Sequence, residues 1–254
     1  MTNDDIILAN RLAEAAGEAI RPFFRARFDL ETKADASPVT EADRAAEAAM
    51  RAIIEVERPT DGIIGEEYGR EREDADRVWV LDPIDGTRAF IAGRPLFGTL
   101  IALVEDRQPV LGVIDQPIAR DRWVGASGQL TMFNGVPVRS RACARLADAH
   151  LGSTSPALFA ASDYDRFARV SAAAGDVLWG GDCHNYGLTA SGHLDAVIES
   201  GLKLYDFAAL IPVIEGAGGR MTDWQGRPLD ANSAGDVIAA GDDRLIEQIV
   251  ALLN

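Results

Sequence analysis

The chain has 254 residues, of which 47% are apolar and 26% are charged, and its formal net charge is −15. This length and balance are typical of a folded protein with one large or two modest domains, and they exclude a disordered, collagen-like or disulfide-scaffold chain. The acidic excess argues against binding to nucleic acid or to an anionic membrane surface, because both attract clusters of Lys and Arg.

The sequence also indicates a compartment. Its first residues lack the basic and apolar regions of a signal peptide, and no run approaches the roughly 18 apolar residues of a membrane span. The cysteines, Cys143 and Cys183, form no C-x-x-C pattern and are expected to be reduced thiols. We therefore expect a cytoplasmic protein.

The first half of the chain is predicted to form two helices and then a sheet. Apolar stripes predict helices over residues 4–27 and 42–56, with Thr40 as the N-cap of the second and a short polar linker at 33–38. Segments rich in β-formers follow at residues 62–65, 78–81, 99–104, 110–114 and 122–125. This order favours a mostly antiparallel sheet.

The second half alternates between the two periodicities. Predicted strands lie near Leu151 and at residues 177–179, 194–198, 220–222 and 237–240. Predicted helices lie at residues 164–173, 186–191, 207–217 and 244–253. This alternation indicates a layered α/β region. A boundary within residues 141–149 predicts two domains, 1–143 and 144–254.

Acidic residues follow a predicted apolar strand in the segment Trp79-Val-Leu-Asp82-Pro-Ile-Asp85-Gly-Thr87. Pro83 has no N–H to donate and is expected to end the strand at Asp82. Two carboxylates three residues apart at such a junction can converge on one hard cation, with the carbonyl of Ile84 as a neutral ligand. Mg²⁺ accepts such a set of oxygens. Alone, this spacing is more typical of caps and solvated turns.

Further polar groups surround this segment in the sequence. The N–H groups of Gly86 and Thr87, at a predicted helix start, would face an anion beside the cation. Glu66 and Glu67 leave the preceding strand, where they repel each other unless a cation binds or the loop is exposed. Asp206 precedes a predicted helix and could equally be its cap.

Together these segments resemble the Mg²⁺-dependent, Li⁺-sensitive inositol monophosphatase family. The matching segments are Gly65-Glu66-Glu67, residues 79–87 and Tyr205-Asp206-Phe-Ala-Ala, and residues 37–43 resemble the family's segment between its first helices. The resemblance covers nearly the whole chain. It implies a two-domain, five-layered αβαβα sandwich of mixed α+β and α/β character that hydrolyses a small phosphate monoester and forms a homodimer.

The resemblance also implies roles for individual residues. The metal ligands would be Glu66, Asp82, the carbonyl of Ile84, Asp85 and Asp206, which together hold two or three Mg²⁺ ions. Thr87 and Asp43 would hold and polarise the attacking water. Without the resemblance, Asp43 is equally typical of an acid that a helix N-terminus favours.

The C-terminal half is most similar to one branch of the family, the histidinol-phosphate phosphatases of histidine biosynthesis. This similarity lies in residues 180–183, 194–199, 205–212 and 223–224. His184 and Tyr205 depart from the usual residues, which are Tyr in the branch and Trp in the wider family. Asp182 and Glu199 map near the pocket, where they could bind the cationic groups of histidinol phosphate. Asp182 could instead cap the next helix.

The expected activity is therefore the Mg²⁺-dependent hydrolysis of histidinol phosphate by in-line attack of a metal-activated water. Two alternatives stay open on the same scaffold, an inositol-1-phosphatase and a broad-specificity monophosphatase. A third, from another class, is a non-catalytic metal-binding protein. Comparing phosphate release from histidinol phosphate and inositol 1-phosphate tests the first two alternatives. An absence of Mg²⁺-dependent phosphate release from any monoester would favour the third.

Overall fold

The computed structural model describes residues 1–26 and 41–254, together with the backbone of residues 31–32 and 38–39. The predicted N-cap Thr40 and most of the predicted linker, residues 33–37, lie outside the described residues. No helix in the described part of the chain is long and apolar enough to cross a bilayer.

The helices differ most from their predicted bounds at two places. They are α1 (Asn3–Ile20), α2 (Glu41–Glu57), α3 (Thr87–Ile91), α4 (Ala161–Ala173), α5 (His184–Ala190), α6 (Leu204–Phe207), α7 (Leu210–Gly216) and α8 (Asp243–Leu253). Helix α1 ends well before residue 27, because Pro22 cannot continue it. The single helix predicted over 207–217 is broken between α6 and α7, since Pro212 has no N–H for the carbonyl of Ala208.

The strands of the first large sheet come mainly from the N-terminal half. A short pair, β1 (Glu31–Thr32) and β2 (Pro38–Val39), precedes it. The strands of the large sheet are β3 (Gly62–Gly65), β4 (Gly69–Glu71), β5 (Arg77–Asp85), β6 (Gly98–Glu105), β7 (Gln108–Gln116), β8 (Asp121–Ala126), β9 (Met132–Phe133) and β10 (Val136–Pro137). Their order is β10-β9-β8-β7-β6-β5-β3-β4, and every described pair is antiparallel except β3 with β5. The predicted mostly antiparallel sheet is confirmed.

The second large sheet is mixed. Its strands are β11 (His150–Ser153), β12 (Asp176–Trp179), β13 (Ala196–Glu199), β14 (Arg220–Thr222) and β15 (Val237–Ala240), in the order β12-β11-β13-β15-β14. Strands β12, β11 and β13 are parallel, whereas β15 pairs antiparallel with β13 and β14.

Strand β5 shows why the site forms where it does. We expected Pro83 to end this strand at Asp82, but the strand continues to Asp85, which pairs with Gly98 of β6. The register shifts between Asp82 and Asp85, so Pro83 lies in an irregularity where its missing N–H costs no ladder bond. The hydroxyl of Thr99 donates to the carbonyl of Pro83 at 2.8 Å and fixes this bend.

Three apolar clusters hold the layers together. The alternation of β5 sends Trp79 into a cluster with α1 and α2, and Val80 into a second cluster with α5, α6 and α7. This second cluster also contains Val197 of the other sheet, so the middle helices lie between the two sheets. A third cluster packs α4 and α8 on the outer face of the second sheet. The order is helices, sheet, helices, sheet, helices, which confirms the αβαβα sandwich.

The division into domains 1–143 and 144–254 stays a prediction. Strands of the first sheet end at Pro137 and those of the second begin at His150. Helix α7, from the C-terminal half, packs against β7 and β8 of the first sheet.

Candidate active site

Three carboxylates meet at the end of β5. Asp82 and Asp85 come from this strand and Asp206 comes from α6, and one oxygen of each lies within 4.8 Å of the others. Residues three apart on a regular strand point to opposite faces of a sheet. The irregularity at Pro83 and Ile84 removes this constraint, so the two strand carboxylates reach the same cluster.

The cluster is electrostatically unfavourable without a cation. Burial raises the pKa of Asp82 well above its usual range, and the charges of Glu66, Asp85, Asp206 and Asp43 raise it further. Oδ1 of Asp82 is buried and accepts no hydrogen bond from the described residues. An acceptor oxygen that is neither solvated nor bonded is costly, and a hard cation beside it would remove that cost.

Asp85 and Asp206 are each held by one backbone N–H group. Cys183 donates to Asp85 at 2.6 Å and Lys203 donates to Asp206 at 2.6 Å. Burial raises the pKa of Asp206 to about 7 even though the Lys203 N–H lowers it. Burial, followed by the charge of Asp182, raises the pKa of Asp85. The carboxylate of Asp206 thus accepts the N–H at the start of its own helix and still faces the cluster.

The other predicted ligands and the predicted catalytic acid Asp43 lie around this cluster. Glu66 begins the turn after β3, and its N–H donates to the carbonyl of Leu81 in β5 at 3.2 Å. The carbonyl of Ile84 accepts the hydroxyl of Thr87 at 3.1 Å, which leaves its second lone pair for another partner. Asp43, in the first turn of α2, is 1% exposed. The site therefore fits a divalent cation by its all-oxygen donors and by the orphaned oxygen of Asp82.

Gly86 lies where β5 turns into α3. Its φ of 85° is one that favours glycine, and a Cβ atom there would lie 2.8 Å from Cγ of Asp182. Any side chain at Gly86 would therefore strain the turn and displace Asp182. Asp182 itself has a φ of 43°.

Asp182 and Glu199 line the same cavity as the cluster. This cavity has a volume of about 280 Å³, and its polar walls include Asp85, Asp206, Ser153 and Thr154. An adjoining cavity of about 420 Å³ reaches Glu66, Thr87 and Arg88. The two cavities adjoin, because Asp182 and Thr154 border both. The predicted ligands Asp82 and Ile84 line neither cavity and are buried beside them.

Asp182 and Glu199 differ in how they are held. Glu199 is buried and accepts hydrogen bonds from the Tyr186 hydroxyl at 2.9 Å, the Thr154 N–H at 3.0 Å and the Thr154 hydroxyl. Burial raises the pKa of Glu199, and these bonds oppose the rise. Burial and the charge of Glu199 raise the pKa of Asp182 to about 7, against the influence of Arg88.

The carboxylate of Asp182 accepts no hydrogen bond from the described residues, and α5 begins after it with Cys183 in the N-cap position. The alternative of a helix cap is therefore wrong for Asp182. Thr154 and Tyr186, which hold Glu199, were not singled out from the sequence. Neither carries a local motif, since both reach Glu199 through the folding of the second sheet and α5.

The two departures from the family pattern pack against aromatic or apolar side chains. His184 lies edge-on to the ring of Trp123, with centroids 5.3 Å apart, and its Nε2 is 3.6 Å from Asp121. Burial lowers the pKa of His184, although Asp121 opposes this change. Tyr205 packs against the cluster between the sheets.

A larger cavity, of about 600 Å³, lies elsewhere, between α1 and the strands β7, β8 and β9. Arg122 crosses it and pairs with Asp115 at 2.6 Å and Glu14 at 3.0 Å. Arg21 and Arg120 line this cavity as well, so its charged side chains are of mixed sign. The smaller acidic cavity is the candidate active site, because its carboxylates face one another instead.

Comparison with known proteins agrees with this fold. The model of the inositol monophosphatase family matches residues 3–254. The chain therefore belongs to the inositol monophosphatase family, a family of metal-dependent phosphatases, and is itself a phosphatase acting on small phosphomonoesters. This membership argues against the alternative of a non-catalytic metal-binding protein.

The names of individual relatives do not agree on one substrate. The chain is 49% identical to the bifunctional phosphatase IMPL2 of Arabidopsis thaliana, over 97% of this chain and 74% of that one. It is 35% identical to a histidinol-phosphatase of Mycobacterium tuberculosis, over 100% of this chain and 99% of that one. The solved structure of an inositol monophosphatase from Zymomonas mobilis is 59% identical, with a TM-score of 0.92 over 98% of this chain and 97% of that one.

Proposed function

We propose that this chain is a Mg²⁺-dependent phosphatase whose substrate is histidinol phosphate. The observation that carries the substrate is the pair of acids, Asp182 and Glu199, on the wall of the cavity that also contains Asp85 and Asp206. The similarity to a histidinol-phosphatase at 35% identity over the whole chain supports the same substrate.

Glu66, Asp82, Asp85, Asp206 and the carbonyl of Ile84 would hold two or three Mg²⁺ ions. Bound Mg²⁺ would supply positive charge for the phosphate oxygens and lower the pKa of a water molecule. Because the chain carries a net charge of −15, an anionic substrate needs this local positive charge to enter the cavity.

Residues of the chain would then orient the reactants. The Thr87 hydroxyl donates its hydrogen to Ile84, so its oxygen is left to accept a hydrogen bond from the attacking water. The carboxylate of Asp43, beside the same cluster, would accept a proton of that water. The N–H groups of Gly86 and Thr87 would bind phosphate oxygens. Together these contacts would hold the phosphate and the water so that the water is in line with the bond to be cleaved.

The acids of the cavity would recognise the rest of the substrate. Histidinol phosphate carries an ammonium group and an imidazole, and both can donate to Asp182 and Glu199 in charge-assisted hydrogen bonds. Asp182 has the greater need of such a partner, because Glu199 is already bonded to Thr154 and Tyr186. A second phosphate group would be repelled at this wall.

Inositol 1-phosphate is the second candidate substrate. A 59% identical solved structure is that of an inositol monophosphatase, and neutral hydroxyl groups can also donate to Glu199. A broad-specificity monophosphatase would use both substrates. The difference between the candidates lies at Asp182, which a neutral ring leaves without a charged partner.

The test is a direct comparison of phosphate release from histidinol phosphate and inositol 1-phosphate at equal concentrations, with Mg²⁺ and with a chelator. We expect release in Mg²⁺ alone and a higher kcat/KM for histidinol phosphate. A higher kcat/KM for inositol 1-phosphate would overturn the substrate, and release that is unaffected by the chelator would overturn the metal dependence.

We further propose, from the family resemblance, a cytoplasmic homodimer that is inhibited by Li⁺. Sedimentation velocity measures the assembly, and a monomer at micromolar concentration would contradict it. A LiCl titration matched with NaCl measures the inhibition, for which we expect a loss of activity in LiCl alone.

A further inference from the structure

A buried carboxylate outside the site holds the turn that carries Glu66. Glu47 lies on α2, is fully buried and takes no part in the cavities described above. A carboxylate removed from water must be compensated by charge and by hydrogen bonds. Its partners therefore reveal what it supports.

These partners belong to the turn that follows Glu66. Oε2 of Glu47 accepts the N–H of Glu67 at 2.7 Å, and Oε1 accepts the N–H of Tyr68 at 3.2 Å. The N–H of Glu66 itself donates to Leu81 of β5. The backbone at Glu66 is thus tied to the sheet on one side and to Glu47 on the other.

Arg51, one helical turn after Glu47, contacts both Glu47 and the residues that follow the turn. Its Nε donates to Oε1 of Glu47 at 2.7 Å, and its other nitrogens donate to the carbonyl of Gly69 and, at 3.2 Å, to Glu71. Arg51 is 6% exposed. The rigid fork of the guanidinium therefore joins Glu47 to the strand that leaves the turn.

Gly65 shows how closely Glu47 approaches this turn. A Cβ atom at Gly65 would overlap Oε1 of Glu47. The φ of Gly65 is not in the left-handed region, so backbone conformation does not require a glycine there. The neighbouring carboxylate of Glu47 does, because it leaves no room for a side chain. The contact is between backbone and carboxylate, which leaves little freedom for the turn to move.

We infer that Glu47 and Arg51 are positioning residues that fix Glu66 for metal binding. This inference rests on the proposed metal-dependent function. Partners that orient a metal ligand commonly change metal affinity on the order of 10- to 100-fold when they are replaced. The substitution Glu47→Gln should therefore weaken metal binding to that extent, while saturating metal restores most of kcat.

The matched control is Asp195→Asn. Asp195 is also fully buried, accepts the N–H of His150 at 2.7 Å and pairs with Arg141. It directly precedes β13, at the opposite end of that strand from Glu199. This variant should lower Tm without changing metal affinity. A second test variant, Arg51→Lys, keeps the charge beside Glu47 but loses the fork, and should weaken metal binding several-fold.

The experiment measures Mn²⁺ binding by electron paramagnetic resonance, Tm, and the Mg²⁺ dependence of kcat for the wild type and the three variants. Weakened Mn²⁺ binding in Glu47→Gln and Arg51→Lys, with normal binding in Asp195→Asn, supports the inference. Wild-type affinity in the two test variants, or an equal loss in the control, overturns it. If Glu47→Gln does not fold, Arg51→Lys decides. A wild type that binds no Mn²⁺ would instead overturn the proposed function.

Discussion

Two groups of acidic side chains in this protein differ in what compensates their charge. The first group is Asp5, Glu47 and Asp195, and the second is Asp82, Asp85 and Asp206. Each acid of the first group faces an Arg and at least one backbone N–H. The acids of the second group face mainly one another.

Asp5 and Asp82 show the consequence. Both are 1% exposed, although Asp82 lies deeper in the protein. Burial favours a higher pKa in Asp5, but hydrogen bonds from Thr2 and Arg77 outweigh it and lower the pKa below its usual value. In Asp82 the neighbouring charges add to burial, and the pKa is raised. Charge burial of the first kind supports the fold, whereas the second kind indicates a site that awaits a cation.

The largest expected effect comes from Asp85→Asn. An amide retains the size of Asp85 and can still accept the N–H of Cys183, so the fold should persist. Loss of the charge should weaken the cation site and reduce kcat by several orders of magnitude. In metal-free buffer the variant should be at least as stable as the wild type, because repulsion within the cluster is reduced.

Phosphate release and Tm, each with and without Mg²⁺, measure these two effects. Mg²⁺ should raise the Tm of the wild type more than that of Asp85→Asn. Near-normal turnover of the variant at millimolar Mg²⁺ would contradict the assignment of Asp85 to the metal site.

The next effect concerns substrate choice. Asp182→Asn should lower kcat/KM for histidinol phosphate by about 10- to 100-fold, because a hydrogen bond to a charged group is worth about 1.5–3 kcal/mol and each 1.4 kcal/mol is tenfold. Inositol 1-phosphate and a simple aryl phosphate should lose little. Equal losses on the three substrates would make Asp182 a structural acid and remove the argument for histidinol phosphate.

Much of the fold could be predicted from local patterns. Strands β6, β7 and β8 lie within two residues of their predicted bounds, because each alternates or is uniformly apolar between turn residues. The irregularity in β5 could not be predicted, since Pro83 ordinarily ends a strand. What allows the strand to continue is Thr99, a residue of the neighbouring strand.

The site could be predicted where its chemistry is local. Asp82 and Asp85 are close in sequence, and Asp206 was assigned to the metal site through the family resemblance. Glu47 could not be recognised, because on an amphipathic helix a Glu four residues before an Arg is typical of an exposed ion pair. Its burial depends on the turn after β3, which packs over it from another part of the chain.

Asp5→Asn, from the compensated group, should affect stability alone. Arg77 donates to Asp5 at 2.6 Å and the N–H of Thr2 donates to it at 2.6 Å. Loss of the charge should reduce the free energy of unfolding by about 1.5–3 kcal/mol. For a chain of this size, each 1 kcal/mol lowers Tm by roughly 2–4 °C. Mn²⁺ affinity and kcat/KM should equal those of the wild type, and a change in either would break the separation of the two groups.

The smallest effect is the pH dependence of that stability difference. The folded pKa of Asp5 is lowered, so its carboxylate stabilises the fold above the unfolded pKa of about 3.9. This contribution is lost as the pH falls from that value through the folded pKa, because in this range the unfolded chain binds more protons at this group than the folded chain does. Urea unfolding of the wild type and Asp5→Asn should therefore differ by a constant amount from about pH 7 to about pH 5, and by less near pH 3. A difference that persists unchanged into acid would mean that the side chain stabilises the fold through packing and neutral hydrogen bonds, without its charge.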